Sequence, residues 1–418
     1  MRHFHGLLLV LTLALIFIGA HATTPPVSQA IQSPAGAGAR APHLATTDSG
    51  DIVMSWLAPT ATGFALHFAT LQDGQWSTAK LVARGDNWFI NWADFPSVVP
   101  IDGDFWAAHW LAKRAGGKYA YDIMISLSLD AGNSWQTPFM LHDDNTATEH
   151  GFVTLFAADG NAAAIWLDGR QMSGQGHGAG EHGSSAGAMS LRTAQITRDG
   201  RIMHASALDV RVCDCCATDV AIGADGPIAF YRNRSEREVR DIFAATQRDG
   251  QWLAGQLVAR DNWVIDGCPV NGPAAAAKAI AVVVAWFSAA SDMPHVRLAR
   301  STDAGKSFQT PVTIDDVRPV GHVDVVLLDT GDALISWLRG GEQDGQLAVR
   351  LVNPDGAIGP IVNIANVSAS RATGFPQLIN AKEAVLVAWT DRSSSQSTVR
   401  TALIDVAALQ AISAPVPR

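Results

Sequence analysis

The chain has 418 residues, of which 17% are charged, with a net charge of −9. That balance gives no basic surface for nucleic acid or for an anionic membrane. The 37 glycines, 13 tryptophans and many Asp-Gly pairs suit short strands joined by tight turns. In chain order, the first element is a leader. MRHFH is basic, LLLVLTLALIFIG is apolar, and Ala20-His21-Ala22 is a small-x-small cleavage site. A signal peptide over residues 1–22 is expected, with export to the periplasm or beyond. No cysteine follows the cleavage site, so no lipid anchor is expected. No later segment offers 18 uncharged apolar residues, so no membrane span is expected either. Residues 23–418 are read as one domain and a monomer.

An internal repeat runs through that domain. Seven apolar, β-rich segments end in Trp or Tyr and then turn polar, with anchors at Trp56, Trp110, Trp166, Tyr231, Trp286, Trp337 and Trp389. The anchors fall 54, 56, 65, 55, 51 and 52 residues apart. A short run precedes each anchor, and two more follow it, separated by turns. Four short strands in about 50 residues is the size of a propeller blade. The fold class is therefore all-β, a propeller of seven four-stranded blades, with six as the alternative. The seventh unit lacks a fourth strand of its own. TPPVSQAI, Thr24 to Ile31, resembles the fourth strands of other units, and it is expected to close the ring from the N-terminus.

SLDAGNSW, Ser128 to Trp135, and STDAGKSF, Ser301 to Phe308, fit the pattern S-x-D-x-G-x-S-[WF]. On these two segments the sequence resembles the sialidase superfamily of Asp-box propellers. The resemblance implies a turn between the third and fourth strands of each of these two blades, on the face opposite the site. Family sialidases have six blades, one fewer than the repeat counts here.

Counting back from each anchor to the start of the inner strand places residues around one axial mouth. These are His43; Asp94 and Phe95; Glu149 and His150; Cys215 and Cys216; Cys268; His322; and Thr373 with Gly374. The loop DGRQMSGQGHGAGEHGSS adds Arg170, His177, Glu181 and His182 to that face. The chain has only four cysteines. Three crowd into VCDCCATDV as Cys213, Cys215 and Cys216, and the fourth is Cys268. Two readings stay open. An exported chain with an even count suggests disulfides, but any full pairing closes one small local ring. A soft metal ion, copper or zinc, is the other reading, held by the four cysteines with His150 and His322 and more weakly His177 and His182; a redox thiol site is its variant. No organic cofactor is expected.

The family resemblance also implies an arginine triad gripping a carboxylate, a tyrosine nucleophile paired with glutamate, and an aspartic acid as proton donor. Arg170, Arg232, Arg371 and Arg392 are the candidate clamp, since guanidinium forks bind carboxylates bidentately. The tyrosine does not map. Tyr119 and Tyr121 fall in a third strand, read as away from the axis, and Tyr231 replaces an anchoring Trp. The family's early Arg-Ile-Pro motif is absent as well. A sialidase-type hydrolase is thus the second functional reading. The third is a non-catalytic propeller that binds a glycan, a small anion or a protein on the cysteine face, with Trp88 and Trp263 either exposed for stacking or packed between blades.

Overall fold

The computed structural model describes residues 27–172, 187–341 and 343–413. His177, Glu181, His182 and the leader lie outside the described residues. The chain forms seven antiparallel sheets, each built from consecutive strands. They begin with Arg40–Thr46, Ser97–Asp102, His150–Ala158, Asp219–Gly223, Ala274–Lys278, Pro319–Leu327 and Gln377–Ala381, and these inner strands line the axis. The seventh sheet is completed by Ser28–Ile31, which pairs antiparallel with Thr398–Asp405 in the register Ser28 to Ile404 and Ile31 to Thr401. The ring is therefore seven-bladed and closed by the N-terminal strand. A short helix, Val406–Ser413, follows and buries Leu409 against blades six and seven.

The repeat is the core itself. Seven apolar clusters fill the ring, one at each junction between neighbouring blades. A second strand packs against a blade on either side, so both of its faces are buried. That is why VVVAWFS or AAAIWLD reads as a continuous apolar run rather than as an alternation. All seven anchors lie in second strands and are buried. Three of them also bond the preceding blade. Tyr231 Oη donates to Asp209 Oδ2 at 2.8 Å, Trp286 Nε1 to Asp261 Oδ2 at 2.6 Å, and Trp337 Nε1 to Asp315 Oδ2 at 2.8 Å.

The two S-x-D-x-G-x-S segments fold as the same turn, each between third and fourth strands. Ser134 N donates to Asp130 Oδ1 and Gly132 N to Ser128 Oγ, both at 2.8 Å; Ser307 and Gly305 repeat these bonds at 2.9 Å. The Ser134 and Ser307 hydroxyls, which donate to Asp130 and Asp303, together with those serines' backbone N–H groups and the Ser128 and Ser301 hydroxyls, hold the two carboxyls down at about 2. Gly132 is at φ +76°, and a Cβ there would meet Phe68 of blade one at 2.6 Å, so the turn also seats one blade on the next.

Candidate functional site

Residues from all seven blades line a central channel of about 250 Å³. Three aspartates stitch its wall. Asp94 Oδ1 accepts from Phe152 N at 2.8 Å, Asp219 Oδ2 from Ala275 N at 2.7 Å, and Asp324 Oδ2 from Leu378 N at 2.6 Å. Each bond runs from one inner strand, or its leading loop, to the inner strand of the next blade. Burial pushes these carboxyls up, to about 7 for Asp94, about 6 for Asp219 and about 8 for Asp324, where the Asp219 charge adds to the effect.

Beside the channel mouth, and sharing Phe95 and Phe375 with it, is a second pocket of about 250 Å³. Three arginines line it. Arg40 begins the inner strand of blade one, Arg371 opens the 3-10 turn Arg371–Thr373 ahead of blade seven, and Arg392 follows the second strand of blade seven, Ala384–Asp391. Trp92, Phe95 and Phe375 form the apolar wall, with the Trp92 and Phe375 rings parallel to within 4°. Among the described residues, none of these guanidiniums has a carboxylate within ion-pair reach. Arg40 lies over the Phe64 ring, and its Nε is buried without a hydrogen-bond partner. Burial and the nearby Arg392 charge both lower the Arg40 pKa. A pocket with unpaired positive charge and aromatic walls is equipped to take an anionic ring-shaped ligand.

The expected four-arginine clamp therefore divides. Arg371 and Arg392 share this pocket with Arg40, which the sequence reading missed. Arg170 is in blade three, with Nε 2.7 Å and Nη2 2.9 Å from the two oxygens of Asp168. Arg232 is buried and donates to the carbonyls of Asn271, Arg240 and Phe287 at 2.9, 2.6 and 2.7 Å, under the Trp263 ring. A guanidinium whose donors are spent on three carbonyls is part of the core, not of a clamp. Trp88 and Trp263 are likewise packed, Trp88 against Trp110 and Trp263 against Phe287, so neither is a stacking platform. Trp92 takes that place. The signal for Arg40 was its position just ahead of His43, at the same inner-strand start that marked the other mouth residues.

The four cysteines do converge, as two disulfides, Cys213–Cys216 and Cys215–Cys268. The second ties the loops leading into blades four and five. Arg240 Nη1 reaches Cys213 Sγ at 3.6 Å. The sulfurs of Cys213, Cys215 and Cys216 lie within 4.8 Å of one another, so the group could hold a metal ion once reduced. The histidines expected beside them are elsewhere. His322 is buried against the rings of both Trp92 and Phe375, with Nδ1 2.6 Å from Gly374 O, and burial lowers its pKa to about 4. His150 stacks on His142, their ring centroids 3.7 Å apart. The His142 and His150 group, with Asp122, Asp144 and Asp168, could also hold an ion.

Tyr121 is closer to the axis than its third-strand position implied. Its hydroxyl lies 2.7 Å from Glu149 Oε1 and 3.1 Å from the channel residue Asp94. Burial raises Glu149 to about 8 and drives the Tyr121 phenol well above its ordinary value. A phenol fully enclosed, and harder to ionise than in water, is not an activated nucleophile.

No protein-family model matches the sequence, and no curated protein matches it. Several solved structures resemble it in three dimensions. An ulvan lyase of polysaccharide lyase family PL25, bound to a GlcA(1-4)Rha3S unit, matches at 12% identity over 93% of this chain and 100% of that chain, with a TM-score of 0.54. A mutant of the NanB sialidase from Streptococcus pneumoniae matches at 9% identity over 86% and 84%, TM-score 0.49. The Hadza microbial sialidase matches at 12% identity over 72% of this chain and 63% of that chain, TM-score 0.43. At such identities the likeness concerns fold alone, and the fold is a seven-bladed β-propeller.

Proposed function

We propose that the protein binds an acidic sugar, one carrying a carboxylate or sulfate, in the pocket of Arg40, Arg371 and Arg392. The observation that carries this reading is three guanidiniums without ion-pair partners facing aromatic walls. Unpaired cations lose solvation on partial burial, and an anion that forks onto them restores it. At about 250 Å³ the pocket suits one sugar ring, falling just below the roughly 300–1,000 Å³ of pockets for larger ligands. The lyase neighbour's ligand, a GlcA(1-4)Rha3S unit, agrees with an acidic glycan. Hydrolysis of the sialidase type lacks its nucleophile, because no tyrosine lines the pocket. The protein acts outside the cytosol in this reading; the apolar leader and the two disulfides support that placement.

Calorimetric titration of the mature chain tests the reading. Sialyllactose or a glucuronate oligosaccharide binds, lactose does not, and Arg371→Ala with Arg392→Ala weakens binding by about 10-fold or more, as loss of charge-assisted hydrogen bonds requires. Equal binding of lactose, or binding unchanged in the double variant, would overturn it. A second reading concerns the cysteines. The Arg240 guanidinium beside Cys213 favours a thiolate there, so the reduced cluster would take copper(I) or zinc. A copper titration of reduced protein, beside a free-thiol count, checks it; reduced protein that takes up no metal would exclude it.

A further inference from the structure

Blades two and three enclose a second cluster, apart from both the arginine pocket and the cysteines. His142 follows the last strand of blade two, Phe139–Met140, and His150 opens blade three. Their ring centroids are 3.7 Å apart, their planes within 5°, and both side chains are wholly buried. Asp122, Asp144 and Asp168 surround them, paired with Arg114, Arg170 and Arg192.

Proton positions make the cluster incomplete. His150 Nδ1 faces only carbonyl oxygens, Thr148 O at 3.2 Å and Tyr121 O at 3.3 Å. Carbonyls only accept, so Nδ1 holds the proton and Nε2 the lone pair. That lone pair faces Asp144 Oδ2 at 3.2 Å and Asp168 Oδ1 at 3.9 Å. His142 Nδ1 is 2.8 Å from Asp144 Oδ1 and donates to it. Its Nε2 lone pair then faces Asp122 Oδ1 at 3.4 Å, and both of these atoms are buried without a hydrogen-bond partner. Two lone pairs thus point at carboxylate oxygens, acceptor against acceptor. Two added protons would put two imidazolium rings face to face, away from water. One divalent cation held by Asp122, His142 and His150 satisfies the acceptors left without a partner.

We propose that Asp122, His142 and His150 bind a divalent transition-metal ion, zinc being the best fit. Ligand atoms of Asp122, His142 and His150 lie within 4.8 Å of one another, and so do those of Asp144, His150 and Asp168. Zinc takes four ligands, with N and O at about 2.0–2.2 Å; Asp122, His142 and His150 supply three and water the fourth. Imidazoles disfavour calcium and magnesium. The Nδ1–H bond of His150 to backbone carbonyls is the outer-shell contact that aims Nε2 at a metal. The ion would clamp blade two to blade three.

Elemental analysis of full-length exported protein, stripped with chelator and reloaded with zinc, tests the proposal. One zinc per chain is expected. His142→Gln and Asp122→Asn should each weaken zinc binding by more than the roughly 10–100-fold that an outer-shell change costs, while the exposed His204→Gln retains it. Asp122 is on the rim, so its variant keeps the test open should His142→Gln not fold. Cobalt-loaded protein should show d–d absorption without a thiolate charge-transfer band. Protein that takes up no zinc, full zinc retention in folded Asp122→Asn, or a thiolate band from cobalt would each overturn the proposal.

Discussion

Arginines that look alike in the sequence do opposite work in this molecule. Arg232 has its charge, pulled down to about 10 by burial, spread over three carbonyls of neighbouring segments. Removing it leaves buried acceptors unpaired, at about 1–3 kcal/mol each. Arg232→Ala should therefore lower unfolding stability by about 3 kcal/mol or more in urea, and Arg232→Lys should recover little, since an ammonium cannot fork to three acceptors. Arg392 is exposed and unpaired, so Arg392→Ala should change stability by no more than about 0.5 kcal/mol while weakening ligand binding. A large stability loss on Arg392→Ala would show that it holds the fold instead. Counting from the anchors brought His43, Asp94 and Phe95 to the channel, because propeller topology fixes where inner strands begin. It did not reveal Arg40, a few residues off the counted position. Nor did it pair His142 with His150, because the groups that give that pair meaning, Asp122 and Asp168, come from other strands and meet only on folding.

Strands and loops set how the ring stays shut. The second strands were legible because burial on both faces leaves a long apolar signature. The fourth strands of blades one and four were legible as the closing runs STAKLVARG and LAGQLVARD, and the structure adds that each is split by a turn, as Gln75–Trp76 with Lys80–Gly85 and Gln251–Trp252 with Gln256–Leu257. The closing strand, Ser28–Ile31, was legible by its likeness to other fourth strands. It covers the edge of Thr398–Asp405, and Thr401 Oγ1 donates to Ile31 O at 3.0 Å. Deleting the chain through Ile31 should cost on the order of 2 kcal/mol in ladder bonds and lower Tm by about 4 °C, with new self-association through the bared edge. An unchanged Tm in calorimetry would show that closure does not depend on this strand. The Cys215–Cys268 bridge spans 53 residues and Cys213–Cys216 only 3. Chain entropy then assigns the long bridge about 4 kcal/mol and the short one about 2. Cys268→Ser should accordingly destabilise more than Cys216→Ser, and the reverse order in denaturant would contradict that account.

At the scale of the whole ring, the buried ionisable groups make stability depend on pH in a way their signs determine. Glu149 and Asp324 titrate at about 8 and Asp94 at about 7, all raised by burial. In the unfolded chain these carboxyls ionise near pH 4. Between those limits the folded state holds protons that the unfolded state has released, so their stabilising contribution is complete below about pH 4 and is lost as pH rises toward 8. His43, His109 and His322 act in the other direction, with burial lowering them to about 4, 3 and 4. The unfolded chain takes up their protons below about pH 6.5, so they weaken the fold on acidification and add no slope above that point. The two sets oppose each other between about pH 4 and 6.5, and only the carboxyls act from about 6.5 to 8. Unfolding free energy should therefore fall across that upper interval, by up to about 1.4 kcal/mol per pH unit for each proton still held. Asp324→Asn keeps an acceptor for Leu378 N but cannot ionise, so it should flatten the slope there without shifting the acid limb. Urea midpoints measured between pH 6.5 and 8 decide the matter: a slope that is absent, or equally steep in the variant, would mean that the channel carboxylates are charged and solvated rather than protonated stitches between blades.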